Sequence, residues 1–509
     1  MANLQREVEV RFDVPADATI PDLTAISDVI GTSEPAVHEL TAHYFDTTDQ
    51  DLARAGIGLR RRTGGDDSGW HLKLPIDDTG RHKIQVPLGR AVHTVPKVLR
   101  DAVAATVRGA TLSEVSEERV RRQVVQLLDA EDRVLLEFRD NLIAHTPRED
   151  GAPGHTTVTR QWELELVDGD RSHLQAAAKL LRKAGGTRVP LPADTRPVMS
   201  GADAPAAAAR TDASDQAATA GAVVMAQLRA EVARVIALDP LVRVDAPDAV
   251  HQLRVSLRRL RSVLATFRPL FDRAHTDPLR DELRSLSRVL SPARDAEVLQ
   301  AQLMAQLTAE PAKLVAGPVR RRIDADLAAR YREGLQAARE AMLSDRHLAL
   351  LDRLTDFVTE PPLTPLAAEP ATKVLSARVA SDVKRLRRLA VEALTESDAA
   401  RDEALHEVRK AAKRTRHGAE ILTLVRERRG KRLKRTTRKI QSLLGDQHDA
   451  VVSTEVLQEL AVQAHAAGEN TFTYGRLHAA NERAAAELAA SFEQRWTGTL
   501  DRKLSRWLG

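Results

Sequence analysis

The chain has 509 residues, too many for one hydrophobic core, so two to four domains are expected. Its 76 basic and 72 acidic residues leave a formal charge of only +4, so the distribution of charge says more than its sum. The absence of cysteine excludes disulfides, thiolate nucleophiles and cysteine-ligated metals, and no uncharged apolar run is long enough to span a bilayer.

The opening "MANLQREVEVRF" has no apolar stretch behind its charges, which predicts a cytoplasmic chain without a secretory signal. From Leu4 to about Leu166 the pattern is mostly period two. The segments "LQREVEVRF", "TAHYFDT", "GIGLRRRT", "WHLKLP", "RHKIQVPL", "RVRRQVVQLL", "RVLLEFRDNLI" and "TVTRQWELEL" read as eight strands. Helices are predicted near Val95–Val107 and from about Ser172 to Ala184, the second ended by Gly185-Gly186. Residues two apart in a strand share a face. Glu7, Glu9 and Arg11 therefore point one way, as do Arg60 with Arg62, His71 with Lys73, and Glu163 with Glu165. Two arrangements satisfy this pattern: an ordinary antiparallel sheet with a solvated charged face, or a closed barrel with a charged, wet interior. The second would suit a triphosphate with its metal, because carboxylates hold a divalent ion while Arg and Lys hold phosphate oxygens.

The stretch 197–222 reads as a linker, because its segment "SGADAPAAAARTDASDQAATAGA" (200–222) is Ala-rich and without bulky apolar residues. Everything beyond it is helix-period. His251-x-x-Arg254-Val255-x-x-Arg258-Arg259-x-Arg261 returns as His406-x-x-Arg409-Lys410-x-x-Lys413-Arg414-x-Arg416, and "VLSPARDAEV" returns as "LLGDQHDAVV". Both matches lie about 155 residues apart, so a duplicated helical unit of roughly four helices per copy is expected. The halves would be about 223–360 and 371–509, with the Pro-rich "EPPLTPLAAEP" as the seam.

At about 100° per residue, His251, Arg254, Arg258 and Arg261 form one stripe, opposite Leu253, Leu257, Leu260 and Leu264. His406, Arg409, Lys413 and Arg416 repeat it, and from Arg401 to Ile440 there are 15 Lys/Arg against 5 Asp/Glu. A merely solvated face would alternate signs at i,i+4, whereas Arg254–Arg258 and Arg409–Lys413 are like pairs. Cations around the histidines also repel a divalent metal. The stripe therefore calls for a polyanion. Nucleic acid is disfavoured, since aromatic platforms are few and no helix-turn-helix or zinc pattern is present. An anion of phosphates without bases, inorganic polyphosphate, needs only the charge. For His417 and His448 both a polymer contact and plain packing stay open.

"VHQLRVSLRRLRSVLATF" followed by "LHEVRKAAKRTRHGAEIL" resembles the CHAD domain, over about Asp215–Gly509. The resemblance implies a duplicated helical bundle with pseudo-two-fold symmetry that binds inorganic polyphosphate. By motif position the ligand residues would be His251, Arg254, Arg258, Arg261, His406, Arg409, Lys413 and Arg416. In the first part, "EVEVRF", "HYFDT", "GLRRR", "WHLKLP" and "WELEL" resemble successive landmarks of the CYTH domain, a triphosphate tunnel, over about Met1–Arg196. This resemblance implies metal-binding carboxylates Glu7, Glu9, Glu163 and Glu165 and phosphate-clamping Arg11, Arg60, Arg62, Lys73, Arg81 and Arg121. It also implies Mg2+ or Mn2+ and a triphosphate-bearing substrate. The chain departs from the family pattern at Arg11, where a Lys is usual, and at Lys83 and Gln85, where glutamates are frequent. It departs again at "PADTRPV", which lacks a Ser-Lys, and in the acidic strand of Glu137 and Asp140, whose spacing differs from the family's.

The expected molecule is thus an α+β and all-α multidomain protein. An eight-stranded antiparallel tunnel-like barrel with flanking helices (1–196) precedes the linker (197–222) and a duplicated helical bundle (223–509). The expected function is that of a metal-dependent triphosphatase, cytoplasmic and associated with polyphosphate, whose tunnel is joined to a polyphosphate-binding domain. The alternative is a polyphosphate binder with a weak or inactive tunnel. Nucleic-acid binding through the basic helices is a more distant one, and no membrane partner is expected.

Overall fold

The computed structural model describes residues 3–76, 80–90, 92–149, 151–189 and 218–508. It divides into two compact units, Met1–Ala209 and Arg210–Gly509.

In the first unit the strands are β1 (Asn3–Val14), β2 (Gly31–Thr32), β3 (Ala36–Asp46), β4 (Gly58–Thr63), β5 (Gly69–Pro75) and β6 (Gly80–Val86). They continue with β7 (Ser113–Leu128), β8 (Val134–Glu149), β9 (Ala152–Pro153), β10 (Thr157–Leu166) and β11 (Thr187–Val189). The order β7-β3-β4-β5-β6-β1-β10-β8 closes on itself through β7–β8 pairing, so eight antiparallel strands form a ring. These are the eight segments whose alternation marks them in the sequence. Closure pairs every strand of the ring on both sides, and the short β2, β9 and β11 attach at its rim.

The alternation is inverted relative to an ordinary small barrel, with charge inside and the apolar face outside. Val10, Phe12, Leu136, Phe138, Trp162 and Leu164 pack outward against Leu174, Ala177 and Leu181 of α3 (Arg171–Lys183). That helix starts on a capping box at Asp170 and His173 and gives way to Gly185, which has positive φ. Further round the ring, α1 (Asp51–Arg54) and α2 (Lys97–Val107) supply Leu52, Leu99, Ala102 and Val103, all buried. Burial of the outer face therefore fixes which face looks inward.

The second unit is helical: α4 (Ala220–Arg243), α5 (Ala249–Thr266), α6 (Arg273–Val289), α7 (Ser291–Ala309), α8 (Val319–Met342) and α9 (Asp345–Thr359) precede the Pro-rich seam. After it come α10 (Ala371–Thr395), α11 (Asp398–Leu422), α12 (Glu427–Ala466), α13 (Phe472–Arg495) and α14 (Asp501–Leu508). The expectation of about four helices per half is too low: six precede the seam and five follow it. One reason is local. In the first half Pro292 lacks the N–H that would continue the ladder, so the chain breaks into α6 and α7. At the matching place in the second half "LLGDQHD" runs unbroken through the 40-residue α12. The linker also ends earlier than expected. Its residues up to 217 lie outside the described region, but Thr219 caps α4 by accepting from the Ala222 amide, and the alanines that follow are helical. Backbone hydrogen bonds from Ala220 to Glu369 and from Ala371 to Ala218 stitch the start of α4 to the seam.

α5 buries Leu253, Leu257, Leu260, Val263 and Leu264, and α11 buries Leu405, Val408, Ala412 and Ala419. The two motif helices pack directly on each other. Among the described residues no helix is long and apolar enough to cross a membrane.

Candidate functional site

The ring encloses a cavity of about 630 Å3 lined by charged side chains of both signs. Cross-strand register places them: Glu9 lies opposite Glu165 and Arg11 opposite Glu163 across β1–β10. Glu7 is opposite Arg81 across β1–β6, and Lys73 is opposite Lys83 across β5–β6. On β4, Arg60 and Arg62 share the inner face, and Arg60 donates to the Tyr44 hydroxyl at 3.1 Å.

Arg121 is not part of this set. Its side chain is 62% exposed and lies 3.8 Å from Glu39 on the outside of the ring. The neighbouring Arg122 points inward instead, donating to Asn141 at 2.7 Å and reaching Glu163 at 3.4 Å. The segment "VRRQVVQL" carries apolar residues at both parities, so its alternation does not say which arginine turns in. Of the acidic pair on β8, Glu137 lines the cavity, whereas Asp140 pairs with Arg160 at 2.8 Å away from it. Arg139 is the residue that sequence reasoning missed. It donates to Glu137 at 2.6 Å and Glu163 at 2.9 Å and also pairs with Glu165. Its inward position follows from two-residue spacing with Glu137 on one strand. Arg196 lies outside the described residues.

The interior carboxylates are held by cations. Burial alone would raise the Glu7 carboxyl, but Lys73 at 2.9 Å and Lys83 at 3.2 Å pull it down to about 2. Burial likewise opposes ionisation of Glu163, and Arg11, Arg139 and Arg122 hold it well below the usual carboxylate range. Glu165 goes the other way: burial raises it, and repulsion from Glu7 and Glu163 adds to that against the pull of Arg139. Near the β4–β5 turn, Asp67 engages Arg62, Lys83 at 2.8 Å and His71 at 3.2 Å. Burial and the neighbouring Arg60 push the Arg62 guanidinium down to about 9, against the pull of Asp67.

The donor set fits a divalent cation. Glu9, Glu163 and Glu165 each bring one carboxylate oxygen within 4.8 Å of the others, a span that one oxygen-coordinated ion bridges. One oxygen of buried Glu9 accepts no hydrogen bond within the protein, as expected of a metal ligand. Lys83, by contrast, puts an ammonium beside Glu7 where the family pattern often has a carboxylate.

The helical unit brings most of the motif residues together. Burial lowers the Arg258 guanidinium to about 10, with Arg254, Arg416 and Arg409 contributing. Burial lowers the Lys413 ammonium to about 7, with Arg409 and Arg258 contributing. Arg254 is held by Asp295 at 2.9 Å, while Arg409 lies 3.6 Å from Asp449. Among the described residues neither Arg258 nor Lys413 has a carboxylate within ion-pair distance. The buried Nε atoms of Arg258, Arg409 and Arg416 also find no acceptor in the protein. His406 stacks on His448 with ring centroids 4.4 Å apart. His251 lies beside Arg294 of α7. His417 is buried and takes a hydrogen bond from Arg416 at 3.1 Å. Arg261 separates from the others, its nearest charges being Arg284, Arg280 and Arg288 of α6.

Two family matches divide the chain as the structure does: a CYTH domain over residues 5–194 and a CHAD domain over residues 226–458. The uncharacterized protein MT2285 of Mycobacterium tuberculosis is 36% identical over 496 residues, 93% of this chain and 92% of that protein. PptA from Streptomyces chartreusis is 23% identical, covering 55% of this chain and all of that one, with a TM-score of 0.45. The CHAD domain from the plant Ricinus communis is 25% identical, covering 58% of this chain and 93% of that one, with a TM-score of 0.41.

Proposed function

The chain belongs to the two-domain proteins that join an N-terminal CYTH domain to a C-terminal CHAD domain, and on that premise we propose that it binds inorganic polyphosphate through the α5–α11 groove and hydrolyses a triphosphate group in the tunnel. What carries the reading is one observation. The cavity of the first unit is lined by cations and carboxylates together, and Glu9, Glu163 and Glu165 are spaced for one divalent ion. A site for an anion alone would have no use for those carboxylates, and a site for a metal alone would have no use for the arginines.

In this reading Arg11, Arg60, Arg62, Lys73, Arg81 and Arg122 take the phosphate oxygens. Arginine forks grip two oxygens at once and hold the terminal phosphoryl group against rotation. Arg139 fixes Glu163 and Glu165 in position through its fork. Bound Mg2+ or Mn2+ would neutralise phosphate oxygens and promote in-line attack by water. Phosphate release from inorganic tripolyphosphate by the full chain, with Mg2+ or Mn2+, tests this. Release should occur with wild type and fall by at least a hundredfold in Glu9→Gln. The hydrolase reading falls if wild type releases nothing.

A second reading, binding without turnover, is favoured by Lys83, whose ammonium occupies carboxylate territory beside Glu7 and Asp67. Lys83→Glu with Gln85→Glu should then raise metal-dependent release. No gain from the double change removes this reading.

Asp67 yields a further prediction. Its carboxylate competes with any incoming phosphate for Arg62 and Lys83. Asp67→Asn should tighten tripolyphosphate binding about tenfold, or ~1.4 kcal/mol, in calorimetric titration without metal. Equal or weaker binding would show that Asp67 orients the cations and does not compete for them.

A further inference from the structure

A second cavity, of about 330 Å3, opens in the helical unit at the C-terminal end of α5. It is lined by Arg268, Arg280, Arg378, Arg385 and Arg414, with Asp382 as its one carboxylate. None of these residues belongs to the cluster of Arg254, Arg258, Arg409, Lys413 and Arg416 already described.

Three of the five arginines make ion pairs within the protein, two of them sharing one carboxylate. Arg414 pairs with buried Asp382 at 2.9 Å and donates to the Ala265 carbonyl at 2.7 Å, and Arg268 pairs with Asp277. Arg280 reaches the same Asp277 only at 3.4 Å, and its Nε is buried without an acceptor. Arg378 and Arg385 have no carboxylate within ion-pair distance among the described residues. The cavity therefore holds more positive charge than the protein neutralises.

The other half of the unit separates structure from ligand. Arg259 pairs with Glu231 of α4 at 3.1 Å, as Arg414 pairs with Asp382 of α10, so the buried acid–arginine pair occurs in both halves and serves packing. The flanking residues differ. Gln227 stands four residues before Glu231, where Arg378 stands four before Asp382, and the repeat offset puts Thr423 opposite Arg268. Arg378 and Arg268 are thus specific to this cavity and unnecessary to the pair, whereas Arg385 matches Arg234, three residues after Glu231, and the repeat offset puts Arg435 opposite Arg280. The positive charge of the cavity also extends to Arg261 of α5, three residues beyond Arg258. Arg261 neighbours Arg280, and Arg280 in turn neighbours Arg268 and Arg414.

We propose that this cavity is a second phosphoanion subsite, filled by the end of a polyphosphate chain whose body lies in the α5–α11 groove. The assignment rests on the polyphosphate reading above. Guanidinium forks match phosphate oxygens two at a time, and a small cavity suits a chain end better than a continuing polymer.

The test is titration of the full chain with long-chain polyphosphate and with pyrophosphate, comparing wild type, Arg378→Gln/Arg385→Gln and Arg258→Gln/Lys413→Gln. Arg378 and Arg385 make no ion pair, so their double variant should keep the wild-type melting temperature. It should bind long-chain polyphosphate about tenfold more weakly and with a shallower salt dependence. Unchanged affinity there, beside a loss in Arg258→Gln/Lys413→Gln, overturns the cavity assignment and leaves the groove standing. Pyrophosphate binding lost in Arg378→Gln/Arg385→Gln, with long-chain affinity unchanged, overturns the chain-end assignment in favour of a free small anion. If wild type binds no polyphosphate, the groove reading and the chain-end assignment fall together. If bound polyphosphate is displaced by duplex DNA or RNA of equal phosphate concentration, the polymer has been misidentified and the chain-end assignment falls with it.

Discussion

Arg258→Gln/Lys413→Gln is expected to lower polyphosphate affinity by a hundredfold or more while raising the melting temperature of the helical unit. The two signs come from one fact. Both cations are half-buried, both are repelled by neighbouring arginines, and neither has a carboxylate within ion-pair distance among the described residues. Without ligand they cost stability, and removing them relieves that cost. With ligand each makes a charge-assisted bond worth about 1.5–3 kcal/mol, so losing two costs roughly 3–6 kcal/mol of binding. A purely structural role predicts the opposite thermal shift, which makes the melting curve as informative as the titration. The pH dependence is a second readout. The Lys413 ammonium is lowered to about 7, so the free protein carries this charge below pH 7 and loses it above. Binding restores the proton, so affinity should fall as pH rises from 6 to 8.5, by up to about tenfold per unit above pH 7. Lys413→Arg should flatten that profile. In the free protein the sign reverses. The unfolded lysine stays protonated to about 10.5, so the apo helical unit gains stability from this group between pH 7 and that value. A pH-independent affinity in wild type would show that Lys413 does not reach the polymer.

Glu163→Gln should be the most damaging single change in the first unit. Three guanidiniums, Arg11, Arg122 and Arg139, converge on this buried carboxylate. Removing the charge leaves them facing one another in the ring, and breaking a buried ionic cluster from one side costs about 3–5 kcal/mol. Hydrogen exchange of the β1, β8 and β10 amides should accelerate accordingly, while exchange in the helical unit stays unchanged. Metal-dependent phosphate release should also disappear, since one of the three clustered carboxylates is gone. Tripolyphosphate without metal should restore much of the lost protection, because the freed guanidiniums accept phosphate oxygens in place of Glu163. Protection equal to wild type would mean that water reaches the tunnel freely enough to solvate the three cations. Acid provides a related check. Glu7 and Glu163 both ionise below their unfolded range, so the stability they contribute is present above about pH 4.5 and lost as pH falls toward 2. Glu163→Gln should show less of that loss.

Much of this was legible in the residues themselves. The eight ring strands follow from alternation, because a barrel with a wet interior and a helix-covered exterior must write charge and apolar residues at period two. The motif helices follow from a repeat with two matched segments, and their stripes from helical spacing. Three things were not legible, each for a physical reason. Arg121 and Arg122 sit in a strand with apolar residues at both parities, so only pairing with β3 and β8 selects the inward one. Arg139 and Asp67 look like ordinary charges until the β8–β10 register sets Arg139 opposite Glu163 and the β4–β5 turn folds Asp67 back on Arg62. The cavity of Arg268, Arg280, Arg378, Arg385 and Arg414 draws on residues up to about 150 positions apart that no single helix face displays.

The sequence by itself therefore determined the eight strands, the repeated helical motif and the excess of positive charge on the motif helices, because those are properties of local period and composition. Only the tertiary structure decided which charges cancel and which stay unpaired, because cancellation depends on distances of a few ångströms between segments far apart in the chain. That distinction separates Arg414, held by Asp382, from Arg258 and Lys413, for which no described carboxylate lies within ion-pair distance.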